Sequence, residues 1–233
     1  MRRLVLNADD FGYDPAVTLG IIEAMTKGVV SSTTMIVNSP HSQHAAERAQ
    51  GLAIGLHLNL VRFTAVSDPS HAFVEKQLPS LTADFVARET EAQLARLRAL
   101  VGRNATHIDV HKHAHLQPAV LEGLARTARA RGLKVRSISD AMRATLRAHG
   151  VETNDVFLGD AGVEAYWTLP RFEAQLDALP AEGLVELMCH PGYRPSHVES
   201  GYGKQREVEL ATFVDPRAKA ALATRGLAFG PWG

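Results

Sequence analysis

The sequence predicts an α/β fold: a single-domain, distorted (β/α) barrel of about seven parallel strands, TIM-barrel-like, over residues 1–233. Three observations predict it. Short β-branched runs alternate with longer segments of helical period, as in βα units wound around a parallel sheet. Polar residues recur at the C-terminal ends of separate runs, where a barrel gathers its strand ends on one site. No repeat, low-complexity stretch or Pro/Gly-rich linker divides the chain.

The elements follow in order. Arg3–Ala8 is the first strand. Asp14 caps a helix over Pro15–Lys27 with Pro15 at its first position, and Gly28 stands where a C-terminal cap belongs. Ser32–Val37 is a β-branched strand, His41–Gln50 a helix and Ala53–Leu58 a strand. Val61–Leu81 is then longer than the usual connection of about 2–6 residues. Thr82 caps a helix to Val101, stopped by Gly102, and Thr106–Val110 is the fourth strand. Pro118 opens a helix to Arg131, closed by Gly132; Lys134–Ser137 is a strand, and Asp140–His149 a helix ending at Gly150. Strands at Asp155–Leu158 and Leu184–Met188 flank a helix at Leu169–Ala178. After a second long loop, Pro191–Gly203, come helices at Lys204–Phe213 and Pro216–Thr224 and a short strand at Leu227–Phe229.

Composition narrows the function. With 45% hydrophobic and 21% charged residues, the chain has material for a large core and no disorder signature. Twenty-five Lys and Arg against 25 Asp and Glu leave no basic excess to hold a phosphate backbone, so no nucleic acid is expected. The single cysteine, Cys189, forms no internal disulfide and is expected to be a buried structural thiol. The apolar run after Met1 meets Asp9 too soon for a signal peptide, and no membrane span of 18 apolar residues occurs. A cytoplasmic location is expected.

The chemistry lies at the strand ends. The first strand runs into Asn7-Ala8-Asp9-Asp10-Phe11-Gly12, where adjacent carboxylates repel unless a cation or a base role compensates. His57 interrupts the apolar Ile54-Gly55-Leu56-His57-Leu58. The run His107-Ile108-Asp109-Val110-His111-Lys112-His113-Ala114-His115 alternates, so at a period of two its imidazoles are expected on one face, and a divalent metal is the usual partner for such a set. His190 follows the seventh strand in Cys189-His190-Pro191-Gly192. One Asp and two neutral imidazoles leave a divalent cation with residual charge and open positions, the arrangement of a hydrolytic metal.

These blocks, in this order, resemble the YdjC-like carbohydrate deacetylases, which include chitooligosaccharide deacetylases and hopanoid-associated relatives. The likeness extends through Gly20-Ile21-Ile22-Glu23-Ala24, Ser32-Thr33-Thr34-Met35 and Glu186, so it covers nearly the whole chain. It implies a metal-dependent hydrolase that removes an acetyl group from an N-acetylated sugar or oligosaccharide. It implies one divalent ion, magnesium or zinc, on Asp10, His57 and His111, with Asp9 as general base and His190 as general acid. Spacing alone leaves His113 or His115 as alternatives to His111. Asp109, His113, His115, Tyr202 and Arg206 are expected to line the site or orient its ligands, and Tyr166, Trp167 and Tyr202 are candidates for stacking on a sugar ring. Two competing readings are a barrel metallohydrolase acting on a phosphoester or cyclic amide, and a non-catalytic metal-binding barrel. A homodimer is the base-rate expectation.

Overall fold

A computed structural model describes residues 2–159 and 167–232. Seven parallel strands form one curled sheet: β1 (Arg2–Phe11), β2 (Ser32–Met35), β3 (Ile54–Leu58), β4 (His107–Val110), β5 (Lys134–Val135), β6 (Val156–Leu158) and β7 (Gly183–Cys189). Their order is β5-β4-β3-β2-β1-β7-β6, and β8 (Ala228–Phe229) pairs with the first half of β1, below β2. The helices α1 (Pro15–Thr26), α2 (Ser42–Ala46), α3 (Ala83–Val101), α4 (Pro118–Arg131), α5 (Asp140–Ala148), α6 (Leu169–Asp177), α7 (Gly203–Val214) and α8 (Pro216–Thr224) connect them. None of the described helices is long and apolar enough to cross a membrane.

The barrel is distorted because its edge strands β5 and β6 share no ladder. The buried side chain of Asn154 bridges the gap: its Oδ1 accepts from the Ser137 N–H at 2.7 Å, while its Nδ2 donates to the carbonyls of Ser137 (2.9 Å) and Val156 (3.0 Å). An amide offering both donors and an acceptor can satisfy backbone on two strands at once, and unpaired edges are otherwise costly when buried.

Several predicted ends move. β1 runs three residues further than expected, and α2 has five residues where a helix to Gln50 was expected. Gly28 is not a left-handed cap; a Cβ there would stand 2.2 Å from the Phe213 carbonyl, so the position is set by contact with the end of α7. Gly20, inside α1, has the same origin: its Cβ would lie 2.5 Å from Gly192. The turn after β7 therefore presses directly on α1, which brings His190 close to the end of β1.

Both long loops are tied over the barrel mouth. Glu89 of α3 accepts from the backbone N–H groups of Val66 and Ser67 (2.9 and 2.8 Å), holding the loop after β3. Asp14, the α1 cap, also accepts from the N–H groups of Ser196 and His197 (3.2 and 2.8 Å), holding the loop after β7. Tyr13 joins the two, donating to the Glu199 carbonyl (3.0 Å) and accepting from Arg62 (2.5 Å).

Candidate metal centre and active site

Regular strand alternation would send Asp9 and Asp10 to opposite faces. The structure brings both to one site through a bulge: Ala8 pairs with Thr33 and Phe11 with Met35, so three steps on β1 match two on β2. The extra residue is Asp10, at φ +73°, a left-handed conformation that Asp tolerates better than most side chains.

Asp10, His57 and His111 converge. Asp10 Oδ1 lies 3.3 Å from His57 Nε2 and 3.0 Å from His111 Nδ1, and the two nitrogens are 3.1 Å apart. Metal bonds of about 2.0–2.2 Å span ligand triangles with edges of about 3.3 Å, so the donor set is sized for a small divalent ion. The chemistry fits too. Asp10 Oδ1 is buried and receives no properly directed hydrogen bond. His57 Nδ1 faces Asp109 Oδ1 at 2.6 Å, which places the ring proton there and turns the Nε2 lone pair toward Asp10. Three lone pairs aimed at one point need a cation between them.

Charge agrees with this. Burial opposes ionisation of Asp10, but Arg206 and the histidines hold its carboxyl well below the usual range. Burial pushes His111 down, keeping it neutral as a ligand must be. His57 is the exception: burial disfavours its charge, yet Asp109 and Asp10 raise its pKa to about 10 in the metal-free chain. A proton therefore competes with the metal for this site. Apparent metal affinity should rise about tenfold per pH unit between pH 6 and 9, with about one proton released per ion, as titration calorimetry in buffers of different ionisation heat would read. Metal binding independent of pH would refute the competition. Because the folded-state pKa exceeds the ordinary 6.5, this ion pair stabilises the metal-free protein fully below pH 6.5 and is lost as pH rises through about 10.

Behind the triad sits a group that sequence reasoning missed, the fully buried Arg136 just past β5. It grips Asp9 through two bonds (2.6 and 2.7 Å) and reaches Asp109 (2.8 Å) and Glu186 (2.8 Å). Asn7 adds a bond to Asp9 (2.9 Å), and Thr34 one to Asp109 (2.9 Å). Burial pushes Glu186 up to about 7 and Asp109 upward, whereas for Asp9 the guanidinium overcomes burial and keeps the carboxyl far below its ordinary value. The available signal was a lone carboxylate, Glu186, inside an apolar strand: such a charge needs a buried partner.

His190 stands across the mouth, its ring stacked on Tyr202 (centroids 5.1 Å, 19°). Burial lowers its pKa to about 4 despite Asp9 and Asp10. Its backbone N–H is held by buried Glu209 of α7, which also accepts from the Trp167 N–H; neither role was legible beforehand. Arg206, one helical turn earlier, donates to Asp10 Oδ2 at 2.5 Å.

Other expectations are corrected. The histidine run does not alternate along one face, because β4 ends at Val110 and a 3₁₀ turn, His111–Leu116, follows, with Lys112 and His113 at φ +51° and +52°. His107 and Asp109 face the barrel interior, where His107 stacks on Trp232 (5.1 Å, 16°). His113 lines the mouth beside His111 but outside the triad, its pKa lowered to about 4 by burial. His115 is fully buried and does not line the mouth. Trp167 is a packing residue: it is buried, donates its indole N–H to the Met188 carbonyl (2.8 Å) and lies under Arg171. Tyr166 lies outside the described residues. Cys189 is buried, as expected.

Asp9, Asp10, His57, His111, His190 and Arg206 all border one cavity of about 400 Å³ at the C-terminal ends of the strands. A distorted parallel barrel with an Asp–His–His triad at that end defines a class of proteins able to hold a divalent cation where a substrate can reach it. The chain belongs to the YdjC-like protein family, whose profile matches residues 3–224. It is 38% identical over 250 residues to a chitooligosaccharide deacetylase of Serratia marcescens, covering 98% of this chain and 97% of that one. To a carbohydrate deacetylase of Geobacillus stearothermophilus it is 35% identical over 239 residues, covering 97% and 95%. A solved protein of Enterococcus faecalis V583 superimposes with TM-score 0.87 at 30% identity, covering 99% of this chain and 97% of that one.

Proposed function

We propose that this chain is a metal-dependent carbohydrate deacetylase, hydrolysing the amide that joins an acetyl group to a sugar amine. The observation that carries the reading is one cavity bordered by a three-atom metal triad, a tethered carboxylate and an imidazole. A storage site needs only the first of these. The chain's similarity to the two deacetylases supports the substrate class.

Asp10, His57 and His111 are the proposed ligands of one divalent ion; the mixed N/O donors suit zinc, and magnesium is the alternative. When bound, the ion supplies Lewis acidity, polarising the acyl carbonyl and acidifying the attacking water. Asp9 is the proposed general base. Its pairing with Arg136 keeps it ionised throughout the working range and makes it a weak base, so the acidity of the water must make up the difference. His190 is the proposed general acid and delivers a proton to the departing amine. Its ring is neutral at pH 7, so it must gain that proton within the complex, with Asp9 and Asp10 favouring the charged form. A bell-shaped profile with Asp9 on its acid limb and His190 on its alkaline limb, which unperturbed pKa values suggest, is therefore not expected. The acid limb should follow metal loading at His57.

Acetate release from N-acetylglucosamine and its oligomers, assayed with metal analysis, tests the reading; phosphate release from sugar phosphates without acetate would replace it. Asp9→Asn and His190→Ala should each retain metal near the wild-type content while kcat falls about 10²-fold or more. Arg136 keeps Asp109 and Glu186 in Asp9→Asn, so the fold should survive. Full turnover in His190→Ala would make that residue structural.

A further inference from the structure

We propose that Arg206 is a positioning residue that keeps Asp10 a one-oxygen ligand and lowers metal affinity in favour of turnover. The inference rests on the triad being the metal site.

The two buried arginines, Arg136 behind the triad and Arg206 at the barrel mouth, differ in kind. Arg136 spends its guanidinium on three carboxylates. Arg206, 1% exposed, makes one ion pair, from Nη2 to Asp10 Oδ2 at 2.5 Å, while its Nε and Nη1 are buried without a hydrogen-bond partner. Its Cζ stands over the Tyr13 ring, 5.9 Å from the centroid. Buried donors left open are destabilising, and an apolar side chain of similar length would avoid that penalty. What the apolar side chain could not do is place a positive charge against Oδ2.

That charge has a definite effect on Asp10. Oδ1 faces His57 and His111, while Oδ2 is occupied. The carboxylate can therefore give the ion one oxygen, and its charge is already partly offset. Catalytic metal sites need open positions for water and substrate, and a carboxylate free to bind through both oxygens closes one of them. The placement is enforced by the backbone, because the Gly192 N–H donates to the Arg206 carbonyl at 3.1 Å and seats the first turn of α7 against the turn carrying His190. Arg206 thus acts through Asp10.

The test is metal affinity, measured apart from activity on the stripped full-length protein by titrating zinc against a competing chelator. Arg206→Met and the polar but uncharged Arg206→Gln should bind zinc at least tenfold more tightly than wild type, with kcat at least tenfold lower. Arg206→Lys, which keeps the charge, should stay within about threefold of wild-type affinity. Disturbed packing can only weaken binding, so a gain in affinity separates the proposed role from a structural one. Equal or weaker zinc binding in whichever neutral variant folds, judged by its melting curve, overturns the inference. His111→Ala serves as the control for the underlying reading: if wild type binds zinc no better than His111→Ala, the triad assignment itself fails.

Discussion

Asp10→Ala, His57→Ala and His111→Ala each lose bound divalent metal and hydrolysis together, whereas His113→Ala retains metal. The three ligand atoms lie within 3.3 Å of one another, and among the described residues no fourth side chain joins that group. Removing one leaves two donors, too few to compete with water for a divalent ion at ordinary concentrations. Activity should fall to background, below the level left by Asp9→Asn, because the acidity of the attacking water goes with the ion. His113 sits two residues beyond His111, after left-handed backbone at Lys112, and is not part of the triad. Elemental analysis of the purified variants beside an acetate-release assay decides the matter. A His113→Ala variant without metal, paired with a metal-replete His111→Ala, would exchange the two assignments.

Arg136→Met destabilises the protein by about 3–5 kcal/mol, the usual scale for removing one partner of a buried charge network. Asp9, Asp109 and Glu186 would then be buried together with no guanidinium among them. For a chain of this length the loss corresponds to a melting temperature lower by on the order of 10 °C. The pH dependence gives the mechanism away. Asp9 is depressed in the folded protein, so its contribution is present above the ordinary carboxylate pKa of 3.8 and disappears as pH falls through the depressed value. In Arg136→Met the same carboxyls favour their neutral forms, and acidification relieves their repulsion. The melting deficit should therefore be smaller at pH 5 than at pH 8. A deficit that does not change with pH would assign Arg136 to packing alone. Arg136→Lys should fall between, since an ammonium keeps the charge without the planar fork that grips Asp9 through two bonds.

Much of this architecture was legible in local chemistry. The βα alternation, the Asp14 and Thr82 caps, Pro118 at the start of α4 and the left-handed glycines 102 and 132 are properties of a few neighbouring residues, and each appears where expected. Asp10, His57 and His111 were singled out by the family resemblance and not by spacing; the structure places their side chains together, because a barrel delivers its strand ends to one place whatever the details of curvature. What only the tertiary structure decided depends on partners distant in the chain. Side-by-side Asp9 and Asp10 reach one site through a bulge whose existence is a matter of register against β2. The alternation of the histidine run stops at Val110, because the backbone turns there into a 3₁₀ segment that no period-of-two count can anticipate. Arg136 meets Asp9 across 127 residues and Arg206 meets Asp10 across 196. A sequence displays which groups are expensive to bury. Which opposite charge lies close enough to offset them is settled only when the sheet curls and brings remote strand ends within hydrogen-bonding distance.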